Sequence, residues 1–194
     1  WYDLYQRNPR ERFAEQYWKE NGIDGWEEYK TIPDRLYIGN AFCHLVFPKE
    51  EQLFTLMEKA IVENVEITLV FPCMREFQVE ERGKLSKKVD NWCEKRQTRV
   101  EILVNDWGMI ALVKESGKHL EPCLGVLLNK QKKDPRMRYK KGSTRGLGES
   151  NLQADFYRTF LKDTYGITRY EWESCGYPQV FPQGKNSLHL PYYQ

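Results

Sequence analysis

The residues best suited to chemistry in this chain follow short apolar runs. Asn105-Asp106-Trp107-Gly108 comes directly after Val-Glu-Ile-Leu-Val104. Polar side chains in that place need a helix to cap or a ligand to meet, because buried polar groups must be paired. Asp106 could act as a general base, bind a cation or orient the loop, and Gly108 permits a backbone turn that other residues resist. Comparable polar groups follow other apolar runs: Asn40, Cys43 and His44; Cys73, Arg75 and Glu76; Asn129 and Lys130; Glu171 and Glu173; His189 and Tyr192. At the same end of successive parallel strands, such groups converge on one cleft. The plainer reading is a set of polar turns, with Asp and Asn capping the helices that follow.

Between Asn129 and Arg145 the chain carries eight basic residues (130, 132, 133, 136, 138, 140, 141, 145) against one acid, Asp134. Such a run can meet phosphates, face a substrate as a mobile loop, or sit in water balanced by acids elsewhere. Gly142-Ser-Thr-Arg-Gly-Leu-Gly148 lacks the Gly-Lys-Ser/Thr ending of a phosphate-binding loop. There is no HExxH and no complete metal-ligand spacing, so spacing alone identifies no catalytic machine.

The elements that must position these groups read as α/β. Arg35–Gly39, Glu66–Phe71 and Arg99–Val104 are short apolar strands that begin 31 and 33 residues apart. Two helices lie between them: residues 49–64, with Leu53, Met57, Ala60 and Ile61 at helical period, and residues 76–96, with Leu85, Val89, Trp92 and Cys93 on one face. Strands alternating with helices at this spacing predict βα units and a mainly parallel sheet. Further on, Cys123–Leu128 reads as a buried strand, Asn151–Tyr165 as an amphipathic helix closed by Gly166, and Thr168–Trp172 and Ser187–Leu190 as the last strands. About six strands predict a TIM-barrel-like fold that stops early, since eight units need ~250 residues; an open doubly wound sheet is the alternative. Residues 1–34 read as an aromatic helical N-terminal arm, with Phe13, Tyr17 and Trp18 spaced for one face, and residues 35–194 as the barrel portion.

The composition excludes several classes. Thirty Lys+Arg against 28 Asp+Glu give a net charge of +2, and a field that weak makes no whole-chain case for nucleic acid. No run approaches the ~20 apolar residues of a membrane span. Five dispersed cysteines, at 43, 73, 93, 123 and 175, predict reduced thiols in a cytoplasmic protein, most of them core residues.

Val104-Asn-Asp-Trp-Gly108, followed by Leu124-Gly-Val-Leu-Leu-Asn-Lys-Gln-Lys-Lys-Asp-Pro-Arg136, resembles peptidase family U32, the collagenase-like peptidases and their iron–sulfur relatives. Arg35-Leu-Tyr-Ile-Gly-Asn-Ala-Phe-Cys43 is similar to the family's early strand, and Ser187-Leu-His-Leu-Pro-Tyr-Tyr193 to the strand before its cysteine cluster. The likeness covers residues 35–194, with 104–136 the most specific stretch. It implies a TIM-barrel-like fold and either peptide hydrolysis or hydroxylation of RNA bases or quinone precursors. In the cluster-binding members a 4Fe-4S group is held by one Cys after the early strand and three after the late one. Cys43 matches the first of these. The other three would lie past Gln194, so the expectation is either a longer natural product or a divergent member without a cluster; Cys73, Cys93, Cys123 and Cys175 do not match them.

The resulting expectation is a U32-like enzyme acting on RNA, a small molecule or a peptide. Asn105, Asp106 and Glu76 are its candidate catalytic residues, and Arg75, Asn129, Lys130 and Arg136 its candidate substrate contacts. Cys43 is the candidate metal ligand. The rivals are a metal-dependent peptidase with Asp106 and Glu76 as ligands, a non-catalytic subunit of a homo- or hetero-oligomeric barrel, and an RNA binder working through residues 130–145.

Overall fold

The structure is a computed structural model that describes residues 1–22, 32–131, 149–175 and 178–189. It divides into two compact units, Trp1–Val70 and Phe71–Gln194.

In the first unit, helices α1 (Tyr2–Arg7) and α2 (Arg10–Glu20) precede β1 (Arg35–Gly39), α3 (Glu50–Val62) and β2 (Glu66–Val70). The aromatic spacing of the arm has a direct outcome. Tyr5 and Phe13 are buried with their rings 5.1 Å apart in an edge contact, a favoured aromatic geometry. Helix α3 buries Leu53, Leu56, Met57 and Ala60, while Ile61 stands at the border of that stripe and is 38% exposed. Strands β1 and β2 run parallel, from Arg35 beside Glu66 to Gly39 beside Val70. Gly39 has φ +113°, and a Cβ there would fall 2.1 Å from the Val70 carbonyl oxygen, so only glycine fits. The arm reaches this strand end. Tyr2 donates its hydroxyl to the Val46 carbonyl and accepts the Gly39 amide, each at 2.9 Å.

The second unit opens with helix α4 (Val79–Arg96), then β3 (Val100–Val104), α5 (Trp107–Ser116), β4 (Leu120–Leu124), α6 (Asp155–Tyr165), β5 (Arg169–Glu173) and β6 (Lys185–His189). Strands β3 to β6 are parallel and lie in chain order. A doubly wound sheet reverses its strand order at a switch point; this run of strands has no reversal and is compatible with a portion of a β/α barrel. Ile102 and Val104 are buried between helix and sheet with Met109, Ile110 and Val113 of α5.

Two local differences from the sequence reading have physical causes. Gly108 suggests a loop, yet the chain is helical from Trp107, because Asp106 caps the helix and Met109, Ile110 and Val113 supply its buried face. The fourth strand is Leu120–Leu124 rather than 123–128. It tolerates Pro122 in its middle, which normally counts against a strand. After Leu124, Gly125 donates to the Val104 carbonyl and accepts from the Leu128 and Asn129 amides, turning the chain out of the sheet.

Candidate functional site

The residues that follow β3 stitch three loops together. Asn105 is 2% exposed. Its side-chain amide donates to the Phe71 carbonyl at 2.9 Å, and its oxygen faces the Leu127 amide at 3.5 Å. Asp106 spends both carboxylate oxygens on backbone amides: Oδ1 accepts from Met109 at 2.7 Å, capping α5, and Oδ2 accepts from Met74 at 2.8 Å. A carboxylate at a helix N-terminus also meets the positive end of the helix dipole. Asn105 and Asp106 therefore hold the ends of β3, the segment after Phe71 and the turn after β4 in fixed register.

Cys73 lies on this rim, exposed, with its thiol donating to the Asn105 carbonyl at 3.4 Å. Partial burial and the Asp106 charge push its pKa up, against a smaller opposing pull from Lys130. Cys73 is thus a poor thiolate at neutral pH. Arg75 and Glu76 are both exposed. The Arg75 amide donates to the Gln78 side chain, setting the short 3-10 turn Glu76–Gln78 that leads into α4. No group of three or more His, Cys, Asp or Glu side chains able to hold a metal forms among the described residues.

Asn129 does for β4 and β5 what Asn105 does for β3. It is 4% exposed, donates to the Glu171 carbonyl at 2.9 Å and accepts from the Ser150 hydroxyl. Lys130 is exposed, with its ammonium on the Leu127 carbonyl at 2.8 Å and its amide on Asn151 Oδ1 at 3.2 Å. Arg136 lies outside the described residues. Cys43, in the first unit, is partly exposed and donates its amide to Asn40 Oδ1 at 2.9 Å.

The structure adds a charged cluster in the second unit that sequence reasoning only touched. Glu171 is fully buried and receives Arg169 on Oε1 at 3.0 Å and His189 on Oε2. Arg169 also binds Glu101 of β3 and the Ser187 hydroxyl of β6. The positions alternate along each strand (101; 169 and 171; 187 and 189), so they share one face of the sheet. His189 bridges two environments, since its side chain is 36% exposed while that of Glu171 is 1% exposed. The signal for this cluster was Arg169-Tyr-Glu171-Trp-Glu173, charges at period two within a strand that also holds buried Tyr170 and Trp172.

Chemically, a buried carboxylate held by a guanidinium and touching a half-exposed imidazole is an acid–base arrangement. The Arg169 guanidinium and the His189 ring each meet one oxygen of the Glu171 carboxylate, which fixes the orientation of the ring. Comparison with protein-family models, with curated proteins and with solved structures gives no match for this chain.

Proposed function

We propose that this chain is the barrel portion of a U32-like enzyme whose substrate meets the carboxyl ends of the second-unit strands. The observation that supports it is the Arg169–Glu171–His189 arrangement on one face of the β5–β6 pair, in which Arg169 opens β5, buried Glu171 stands at its middle and part-exposed His189 ends β6. In this reading His189 exchanges a proton with the substrate and Glu171 compensates the charge that forms. Arg169 pairs with Glu171 Oε1 and holds the carboxylate in place. Asn105, Asp106 and Asn129 are positioning residues, because their polar atoms are spent on the loops that frame the rim. Lys130, with Arg75 and Arg136, supplies positive charge for an anionic substrate group.

A 4Fe-4S cluster takes four thiolates. Among the described residues Cys93, Cys123 and Cys175 are buried, which leaves Cys43 and Cys73 as accessible thiols, two of the four. These residues do not make a cluster set, and the chemistry derived above runs through side chains alone. Iron and acid-labile sulfide, measured per chain on the longest natural gene product purified without oxygen, test this point directly. About four of each, lost in Cys43→Ala, would bring cluster-dependent hydroxylation forward. Neither would leave hydrolysis of a peptide as the reaction to assay.

Glu171→Gln tests the reading itself. A fall of about a hundredfold in turnover with the fold retained supports it. An unchanged rate removes the cluster from the site.

A further inference from the structure

Helix α5 joins β3 to β4, and α6 joins β4 to β5. The next connection, residues 174–184 between β5 and β6, holds no helix among the described residues. Parallel strands are ordinarily joined by a helix that covers the sheet, because their apolar side chains fill both faces. The register places Leu188 of β6 beside Trp172 of β5, on the face that also bears Val104 and Leu124 and is covered further along by α5. Trp172 is buried, with the Phe181 ring against it at 5.1 Å. Leu188 and Phe181 themselves are 43% and 40% exposed, and Val180 is 76% exposed.

The apolar surface continues onto α6. Gln153 donates its side-chain amide to the Val180 carbonyl, three residues before Phe156. Phe156 and Phe160, one turn apart, are 77% and 38% exposed, and Leu161 is the buried residue of the helix. Contiguous apolar patches beyond a few hundred Å² are rare on monomers and mark interaction sites. Residues 174–184 contain no Lys, Arg, Asp or Glu, so docking there desolvates no side-chain charge. Charges stand only at the border, where Lys185 follows the connection and Asp163 lies one turn beyond Phe160, both exposed.

We propose that this patch is the interface of a two-fold dimer, in which α6 of each protomer lays Phe156 and Phe160 on Val180, Phe181 and Leu188 of the other. The surface is complementary to itself. It holds a helix-free stretch of sheet and, beside it, a helix with an unburied apolar edge, and a two-fold axis brings each onto the other. Helix α6 then supplies in trans the cover that a crossover helix supplies in cis, with Asp163 toward the partner's Lys185. An unrelated amphipathic helix would fill the helix-free stretch and leave Phe156 and Phe160 in water, whereas a second copy covers both. Side chains alternate along β6, so this interface lies on the opposite sheet face from Glu171 and His189.

The test is sedimentation velocity on the 194-residue chain between about 1 and 100 µM. A dimer is expected. Phe156→Lys and Val180→Glu, both at exposed positions, should each sediment as a monomer with the circular dichroism melt of the wild type. Phe156→Ala, which introduces no charge, should weaken association about tenfold. Mixed in equal amounts, the Phe156→Lys and Val180→Glu proteins should re-form a dimer, because one Phe156–Val180 contact stays intact and the other pairs opposite charges. A wild-type monomer at 100 µM, a dimer retained by both folded variants, or a mixture that stays monomeric would overturn the proposal. A monomer whose patch instead binds a leucine–glutamate amphipathic peptide would overturn it too, by assigning the face to another protein. None of these readouts involves turnover or iron, so the enzyme reading neither supports the dimer nor falls with it.

Discussion

Gly125 lies so close to Asn105 that a Cβ on it would stand 2.1 Å from Asn105 Oδ1 and 2.8 Å from the Val104 carbonyl oxygen. The glycine is what lets the turn after β4 close over the buried amide after β3. Gly125→Ala should displace Asn105, leave the Phe71 carbonyl without its donor, and cost about 2–3 kcal/mol. Urea unfolding measures this. A loss below about 0.5 kcal/mol would mean that the turn, rather than Asn105, gives way.

Asp106 accepts two backbone amides, and its substitutions should separate in order. Asp106→Ala loses the cap of α5 and the tie to Met74, about 1–2 kcal/mol. Asp106→Asn keeps one acceptor oxygen and should lose roughly half of that. Equal effects would remove the tie to Met74 from the account.

The same carboxylate sets the reactivity of Cys73. Burial and the Asp106 charge raise that thiol, while Lys130 opposes them. Iodoacetamide labelling at pH 8, read by mass spectrometry, should therefore run faster at Cys73 in Asp106→Asn and slower in Lys130→Gln. Cys93, Cys123 and Cys175 are buried and should stay unlabelled in the folded chain.

Burial, with the nearby Asp90 charge, pushes the Cys93 thiol up to about 12. An unfolded thiol ionises near ~8.5. Between those values the folded chain keeps a proton that the unfolded chain loses, so this group's stabilisation is complete below about 8.5 and declines as pH rises toward 12. Cys93→Ala should flatten the fall in stability between pH 8.5 and 10, measured by urea midpoints. An unaltered slope would place the effect in other groups.

Arg169 neutralises Glu101 and Glu171 together. Arg169→Leu removes the guanidinium shared by buried Glu171 and part-buried Glu101 and should cost about 3–5 kcal/mol. Adding Glu171→Gln to that variant should recover some of the loss. If it recovers nothing, the two charges are not coupled through Arg169.

The strand and helix alternation was open to reading because it rests on local pattern. Leu53, Met57 and Ala60 declare α3, and Glu66–Val70 declares β2 by its apolar run. Helix α5 was hidden by Gly108, since a glycine in the first turn looks like a break when the capping bond of Asp106 is not visible. The site was legible in type but not in arrangement. Asn105 and Asp106 stood out as polar residues after a strand, yet their partners on Phe71, Met74, Met109 and Leu127 are all backbone groups, and all but Met109 lie more than twenty residues away, which no side-chain spacing encodes. Arg169 and Glu171 signal themselves by alternation, but Glu101, 68 residues before Arg169, becomes their neighbour only through the strand order.

The central claim is an enzyme with its acid–base set at Glu171 and His189. The most direct measurement compares a strain lacking the gene with the same strain complemented by the wild-type or the Glu171→Gln gene, using mass spectrometry of RNA nucleosides, quinone precursors and peptide fragments. The account predicts one chemical change restored by the wild type and absent with Glu171→Gln, although the variant protein accumulates folded. Restoration by Glu171→Gln to the wild-type level, or no difference in any of the three pools, would contradict it.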